Sequence, residues 1–149
     1  MKTTGIIDIG SNSVRARVFA DGKIVYNGLY TTRLGEGLAT GNRLTAESER
    51  RTIDAVDLLV KAMRSAGAED VYAFATEAVR CAENGREFAA ECEKHTGIPI
   101  DVVDGDEEGE LALLGAVDGG TGGVIDIGGA SAEISVVKDK KIIYSHSLP

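Results

Sequence analysis

The 149-residue chain has no tryptophan, two prolines, two cysteines, two histidines and only 5% aromatic residues. Each scarcity removes a class of function. Cys81 and Cys92 form no CxxC pair and are too few for a disulfide framework, so they read as reduced thiols of a cytoplasmic protein. His95 and His146 stand alone, which argues against a zinc centre and against a Ser-His-Asp triad. Lysine and arginine number 16 against 24 aspartates and glutamates, a formal net charge of −8 with no basic stripe. That balance argues against nucleic acid or an anionic membrane as partner. The chain also lacks any apolar run of about 18 residues. Asp8 interrupts the one early apolar stretch, and Met1-Lys2-Thr3-Thr4 leads into no signal-peptide h-region.

Glycine, by contrast, is abundant. The chain carries 19, where roughly ten are expected at ordinary usage. Gly115, Gly119, Gly120, Gly122, Gly123, Gly128 and Gly129 all fall within one short stretch. With 43% hydrophobic residues the composition is globular. The length suits one domain, or one domain and a piece of another.

Residues 5–9, 13–20 and 23–32 are β-rich runs separated by Gly10-Ser11-Asn12 and Asp21-Gly22, a pattern that predicts an antiparallel meander. Thr45 is placed to cap a helix carrying Ile53, Val56, Val60 and Met63 at helical spacing, with Gly67 as its stop. Val71–Ala75 and Ile100–Val103 read as strands. Asn84 with Glu87, and Asp104 with Glu107, have capping-box spacing for two more helices. Leu111, Leu114 and Val117 are expected to line one side of the last of these. The order βββαβαβα implies an α/β fold, a mixed five-stranded sheet covered by helices.

Residues 5–30 and 123–148 then align without gaps at an offset of 118, with 11 of 26 positions identical. A repeat of strand pattern alone would match apolar positions. This one also matches Asp8 with Asp126, Gly10 with Gly128 and Ser13 with Ser131, all at the first turn. It therefore predicts a first lobe over 1–117, then a glycine-rich hinge and the first three strands of a second, similar lobe over 118–149. Those strands could pack on the first lobe, exchange with another copy, or form a homodimer through an exposed edge.

Each copy places a carboxylate at a strand end before a turn of small residues. Such a turn lets backbone N–H groups approach a phosphate, while the carboxylate can hold a divalent cation that bridges to it. By default Glu107 and Glu108, in a helix's first turn, are dipole-stabilising surface acids. Arg33 reads as a surface residue near the cleft.

The segments DIGSNSVR (8–15), TRLGEGL (32–38), ATEAVR (75–80), GDEEGELALLG (105–115) and DIGGASAE (126–133) resemble, in order and spacing, the exopolyphosphatase/guanosine pentaphosphate phosphohydrolase family. The resemblance implies a ribonuclease H-like, actin-like ATPase fold and covers only the first part of the family's chain. It implies Mg²⁺ held by Asp8 and Asp126, with Gly10, Ser11, Asn12 and Ser13 as one phosphate loop and Gly128, Gly129 and Ser131 as the other. It further implies Arg15 and Arg80 as clamps on a polyanionic substrate, Glu108 as general base and Glu133 as a supporting acid. The implied substrates are inorganic polyphosphate and guanosine pentaphosphate. The alternatives are an ATP-dependent phosphotransferase of the same superfamily and a phosphate-binding lobe without turnover.

The chain departs from the family pattern at three places. Ala130 stands in place of the third glycine of the second loop, which narrows the backbone freedom there. Gly109 and Glu110 stand where alanine and arginine are common.

Overall fold

Alternation of apolar and polar residues in TGIIDI and SVRARVFA sends Ile7, Ile9, Val14, Ala16 and Val18 to one face of a sheet. The computed structural model describes residues 2–117, 121–129, 131–139 and 141–148. Strands β1 (Thr4–Ile9), β2 (Ser13–Ala20) and β3 (Lys23–Thr31) form the expected antiparallel meander. β4 (Asp70–Ala75) lies parallel beside β1, and β5 (Ile100–Val102) parallel beside β4. The five-stranded sheet has the order β3-β2-β1-β4-β5.

The buried face of that sheet meets α2 (Ala46–Ser65) and α4 (Gly85–Thr96), which follow a short α1 (Leu38–Gly41) and enclose α3 (Glu77–Cys81) in sequence. Ile7, Ile9, Val14 and Val18 share one core with Val56, Leu59, Val60 and Met63 of α2 and Phe88 and Cys92 of α4. Thr45 caps α2, its side-chain oxygen accepting from Ser48 N at 3.1 Å. Gly67 ends the turn after that helix with φ 92°. The packing is close enough that a Cβ on Gly5 would collide with the Met63 side chain.

The second sheet holds β6 (Gly122–Ile127), β7 (Ala132–Lys138) and β8 (Lys141–Leu148), antiparallel in that order. It repeats the first meander down to its irregularities. Asp8 pairs in register with Arg15 and Asp126 with Glu133, the same positions of the repeat. A bulge falls between Val18 and Phe19 in one copy and between Val136 and Val137 in the other. Asp21 and Asp139 both take left-handed backbone, φ 52° and 51°, at the second hairpin. Residues 118–120 of the expected hinge, two of the seven clustered glycines among them, lie outside the described residues, as does Ala130.

Two local expectations fail. Asn84 starts α4, but its side chain makes no capping bond there. Its Oδ1 instead accepts from Leu44 N at 2.9 Å, and its Nδ2 donates to Leu44 O at 3.1 Å and Glu49 Oε1 at 2.7 Å. A buried amide that ties the start of α2 to α4 satisfies more polar groups than a cap would. The second failure concerns α5 (Gly105–Ala116). Its capping box at Asp104 and Glu107 is present, but Leu114 is 76% exposed and Leu111 42%. The packed face runs through Gly105, Gly109 and Leu113. A Cβ on Gly109 would lie 2.7 Å from both Ser135 Oγ and Ser145 Oγ, so the helix lies directly on the hydroxyl rows of β7 and β8. Gly109 thus packs closely on the second sheet, a contact to which a leucine-spacing argument is blind.

Candidate functional site

The two DIG turns have the same geometry. Gly10 N donates to Ser13 O at 3.1 Å, and Gly128 N to Ser131 O at 2.9 Å. A Cβ on either glycine would sit 3.1 or 3.2 Å from the same carbonyl, which is why a residue without one closes each turn. The turns also meet. A Cβ on Gly129 would lie 3.1 Å from Asn12 Cβ and 3.3 Å from Asn12 N.

Between them opens a cavity of about 550 Å³. It is lined by Asp8, Gly10, Ser11, Asn12, Ser13 and Arg15 from the first copy, by Asp126, Gly128, Gly129 and Ser131 from the second, and by Glu108 from α5. Eleven of the thirteen residues singled out in the sequence therefore share one concavity. The other two, Arg80 and Glu133, stand behind Glu108. Arg80 Nη1 donates to Glu108 Oε2 at 3.2 Å and to Val103 O at 2.7 Å, while Nη2 is paired with Glu77. Its guanidinium is therefore engaged by two carboxylates in this arrangement. Glu133 is 2% exposed and accepts a hydrogen bond from Ser147 Oγ at 2.9 Å.

Burial pushes the Asp8 carboxyl above its ordinary range; Arg15 across the strand pair draws it down, and the facing charge of Asp126 raises it again. Glu108 is raised as well, first by burial, then by Glu133, with Arg80 opposing and Asp8 adding a smaller push. Four carboxylates (Asp8, Glu36, Glu108 and Asp126) and two guanidiniums (Arg15 and Arg33) line the cavity. A polyanion entering it needs an added cation. Asp8 and Asp126, facing one another from the two turns, are the pair able to hold one. Mg²⁺ commonly binds through one or two carboxylates and keeps waters or phosphate oxygens as its other ligands, so this donor set fits it. Among the described residues no group of three or more His, Cys, Asp or Glu side chains is arranged as a metal site.

Arg33, expected at the surface near the cleft, lines the cavity, as do Gly35, Glu36 and Thr76, to which the sequence assigned no role; Glu77 holds Arg80. TRLGEGL and ATEAVR contain them, but the residues follow no periodicity that would point to a ligand. Arg33, Gly35 and Glu36 are placed by the loop after β3 folding back on the first turn, and Thr76 by the end of β4, where its N–H donates to Ile9 O. Among the described residues, no helix is long and apolar enough to cross a membrane.

The chain matches the Ppx/GppA phosphatase family over residues 15–149. It is 31% identical to exopolyphosphatase 1 of Mycobacterium tuberculosis over 155 aligned positions, covering 97% of this chain and 45% of that protein. It is 34% identical to the guanosine-5'-triphosphate,3'-diphosphate pyrophosphatase of Vibrio cholerae over 138 positions, covering 87% of this chain and 28% of that one. The crystal structure of the Aquifex aeolicus Ppx/GppA family member superposes with a TM-score of 0.84 at 32% identity, over 99% of this chain and 51% of that one. A hexokinase of Thermus thermophilus, at 14% identity and a TM-score of 0.56, shares the fold alone. The chain thus spans about half the length of these relatives, or less. With two DIG turns facing one cavity and a family match over residues 15–149, this chain belongs to the Ppx/GppA phosphatase family.

Proposed function

We propose that the chain carries the phosphate-binding half of a metal-dependent phosphoanhydride hydrolase that releases terminal phosphate from inorganic polyphosphate or guanosine pentaphosphate. The observation that carries this reading is the single cavity in which both DIG turns, Asp8, Asp126 and Glu108 converge. The named relatives support the substrate class. A phosphotransferase reading rests only on likeness of fold.

The residues divide the work by chemistry. Turn N–H groups other than those of Gly10 and Gly128, which already donate to Ser13 O and Ser131 O, would hold the non-bridging oxygens of the terminal phosphoryl group together with the hydroxyls of Ser11, Ser13 and Ser131. Arg15 adds a fixed positive charge beside Asp8. Asp8 and Asp126 would hold Mg²⁺, whose charge would neutralise the phosphates. Glu108 takes a proton from the attacking water. Its raised pKa suits it to that role, because a base that ionises nearer the working pH accepts a proton more strongly. Arg80, held by Glu77, keeps the Glu108 carboxylate oriented and ionised.

The test is Mg²⁺-dependent orthophosphate release from polyphosphate and from guanosine pentaphosphate by a polypeptide that includes residues 1–149. Glu108→Gln is expected to lower it about 10²–10⁴-fold, the usual contribution of a general base. Unchanged release in Glu108→Gln would refute the assignment of the base. The 149-residue chain by itself is expected to be at least about 10²-fold slower than a longer one, since groups that are loosely positioned lose rate on that scale.

A further inference from the structure

Among the described residues, four non-glycine positions have positive φ: Asp21, Arg33, Asn42 and Asp139. Aspartate and asparagine tolerate this region, because their short polar side chains bond locally. Arginine has no such excuse. Arg33, at φ 50° and ψ 46°, is the exception of the four.

The conformation is imposed from two sides. Toward the first phosphate turn, Thr32 N and Arg33 N both donate to Asn12 O, at 3.0 and 2.9 Å, and Gly35 N donates to Ser11 O at 2.9 Å. Toward α2, Arg51 Nε donates to Thr32 O at 2.6 Å and Ser48 Oγ to Leu34 O at 3.1 Å. Arg51 also pairs with Glu36 at 2.9 Å, and Leu34 is fully buried. The loop is thus a strut between α2 and the turn that cradles phosphate, and Arg33 sits at its bend.

Arg33 lines the cavity and is exposed. Among the described residues it lies within ion-pairing distance of no carboxylate, whereas Arg43, Arg51 and Arg80 are each paired. A strained backbone retained at a cavity wall, under a cation left unpaired in acidic surroundings, points to a ligand for that cation. The guanidinium fork matches two phosphoryl oxygens in a way that an ammonium does not.

We infer that Arg33 forms a second phosphoryl subsite. It takes the non-bridging oxygens of a phosphoryl group further along the substrate from the terminal one, and so makes the cavity prefer condensed phosphate to orthophosphate. The inference rests on the proposed function, because it presumes that the terminal group lies at the DIG turns.

Calorimetric titration of the 149-residue chain at fixed free Mg²⁺ tests it, with orthophosphate and tripolyphosphate as the two probes. Asn at position 33 keeps the left-handed backbone while removing the fork. Arg33→Asn is expected to weaken tripolyphosphate binding at least about tenfold, the worth of one charge-assisted bidentate contact, while orthophosphate changes less than about twofold. Arg33→Lys should fall between. Because asparagine suits positive φ better than arginine, Arg33→Asn should melt no lower than the wild type. Equal weakening of both probes with a lowered melting temperature would show a structural role and overturn the subsite. If the wild type binds both phosphates and Arg33→Asn changes neither, the subsite fails and the proposed function stands. If the wild type binds neither phosphate, both fail together.

Discussion

Ile7 and Ile9 are wholly buried, while Ile125 and Ile127, their counterparts 118 residues later, are 69% and 79% exposed. The two strands have nearly the same sequence, the same pairing pattern and the same turn at their ends. What differs is their covering. The first stripe lies beneath α2 and α4. The second, extended by Tyr144 and Leu148 on β8, has no helix over it among the described residues; α5 packs on the opposite face, where Glu133, Ser135 and Val137 are buried. Strand, bulge and turn therefore form from local sequence and pairing, with or without a core behind them. Hydrophobic burial is a separate matter that depends on which elements the rest of the chain supplies. The turn chemistry differs too: Arg15 stands beside Asp8, and Glu133 stands beside Asp126. The two halves of the cavity have one backbone design and opposite charges next to their acids.

The largest contrast should appear in stability. Ile9→Ala removes buried methylene groups from a filled core and is expected to cost about 2–5 kcal/mol. Ile127→Ala should change stability by about 0.5 kcal/mol or less, as at other exposed sites. Urea denaturation of the two variants checks both, and similar losses would show that the second stripe is covered in solution.

A smaller contrast concerns the two acids. The folded pKa of Asp8 is raised, so between its ordinary value of 3.8 and the folded value the native state holds more protons than the unfolded one. Stability from this group is complete below 3.8 and is lost as pH rises through the folded value. Asp8→Asn should accordingly melt higher than the wild type at pH 7, with the difference closing toward pH 4. Glu108 has the same sign, measured from 4.5. Asp126 is exposed, so Asp126→Asn should shift the melting temperature less than Asp8→Asn does, although both should lose Mg²⁺-dependent phosphate binding. An Asp126→Asn shift as large as that of Asp8→Asn would break the contrast.

The smallest effect tests the likeness of the turns. Gly10→Ala and Gly128→Ala place a methyl at 3.1 and 3.2 Å from a carbonyl oxygen. Each should cost about 1 kcal/mol, and each should weaken phosphate binding. A marked difference between them in phosphate affinity would mean that the turns do not share one ligand.

The strands, the antiparallel meander and the repeat were legible because strand periodicity, turn residues and the DIG signature are all local in sequence. Asp104 was legible as a cap for the same reason. Asn84 was not, since Leu44, just before α2, and Glu49, within it, compete for its amide from 40 and 35 residues away. Leu111 and Leu114 misled because helical spacing identifies an apolar stripe without saying whether anything packs on it. Gly109, which does pack, carries no hydrophobic signal. Arg33 and Glu77 became site residues only when a loop and a helix were brought to the first turn.

By itself the sequence determined two copies of a strand-turn-strand unit with a carboxylate and small residues at each turn, because hydrogen-bond pairing and turn sterics act over a few residues. It determined the acidic balance as well, and with it the need for a cation beside any phosphate. Only the tertiary structure decided that the two turns face one cavity, that Glu108 stands over it with Arg80 and Glu133 behind, and that one apolar stripe is buried while its twin is open. Those outcomes depend on packing between segments distant in the chain, where burial and charge are settled by neighbours that no local pattern encodes.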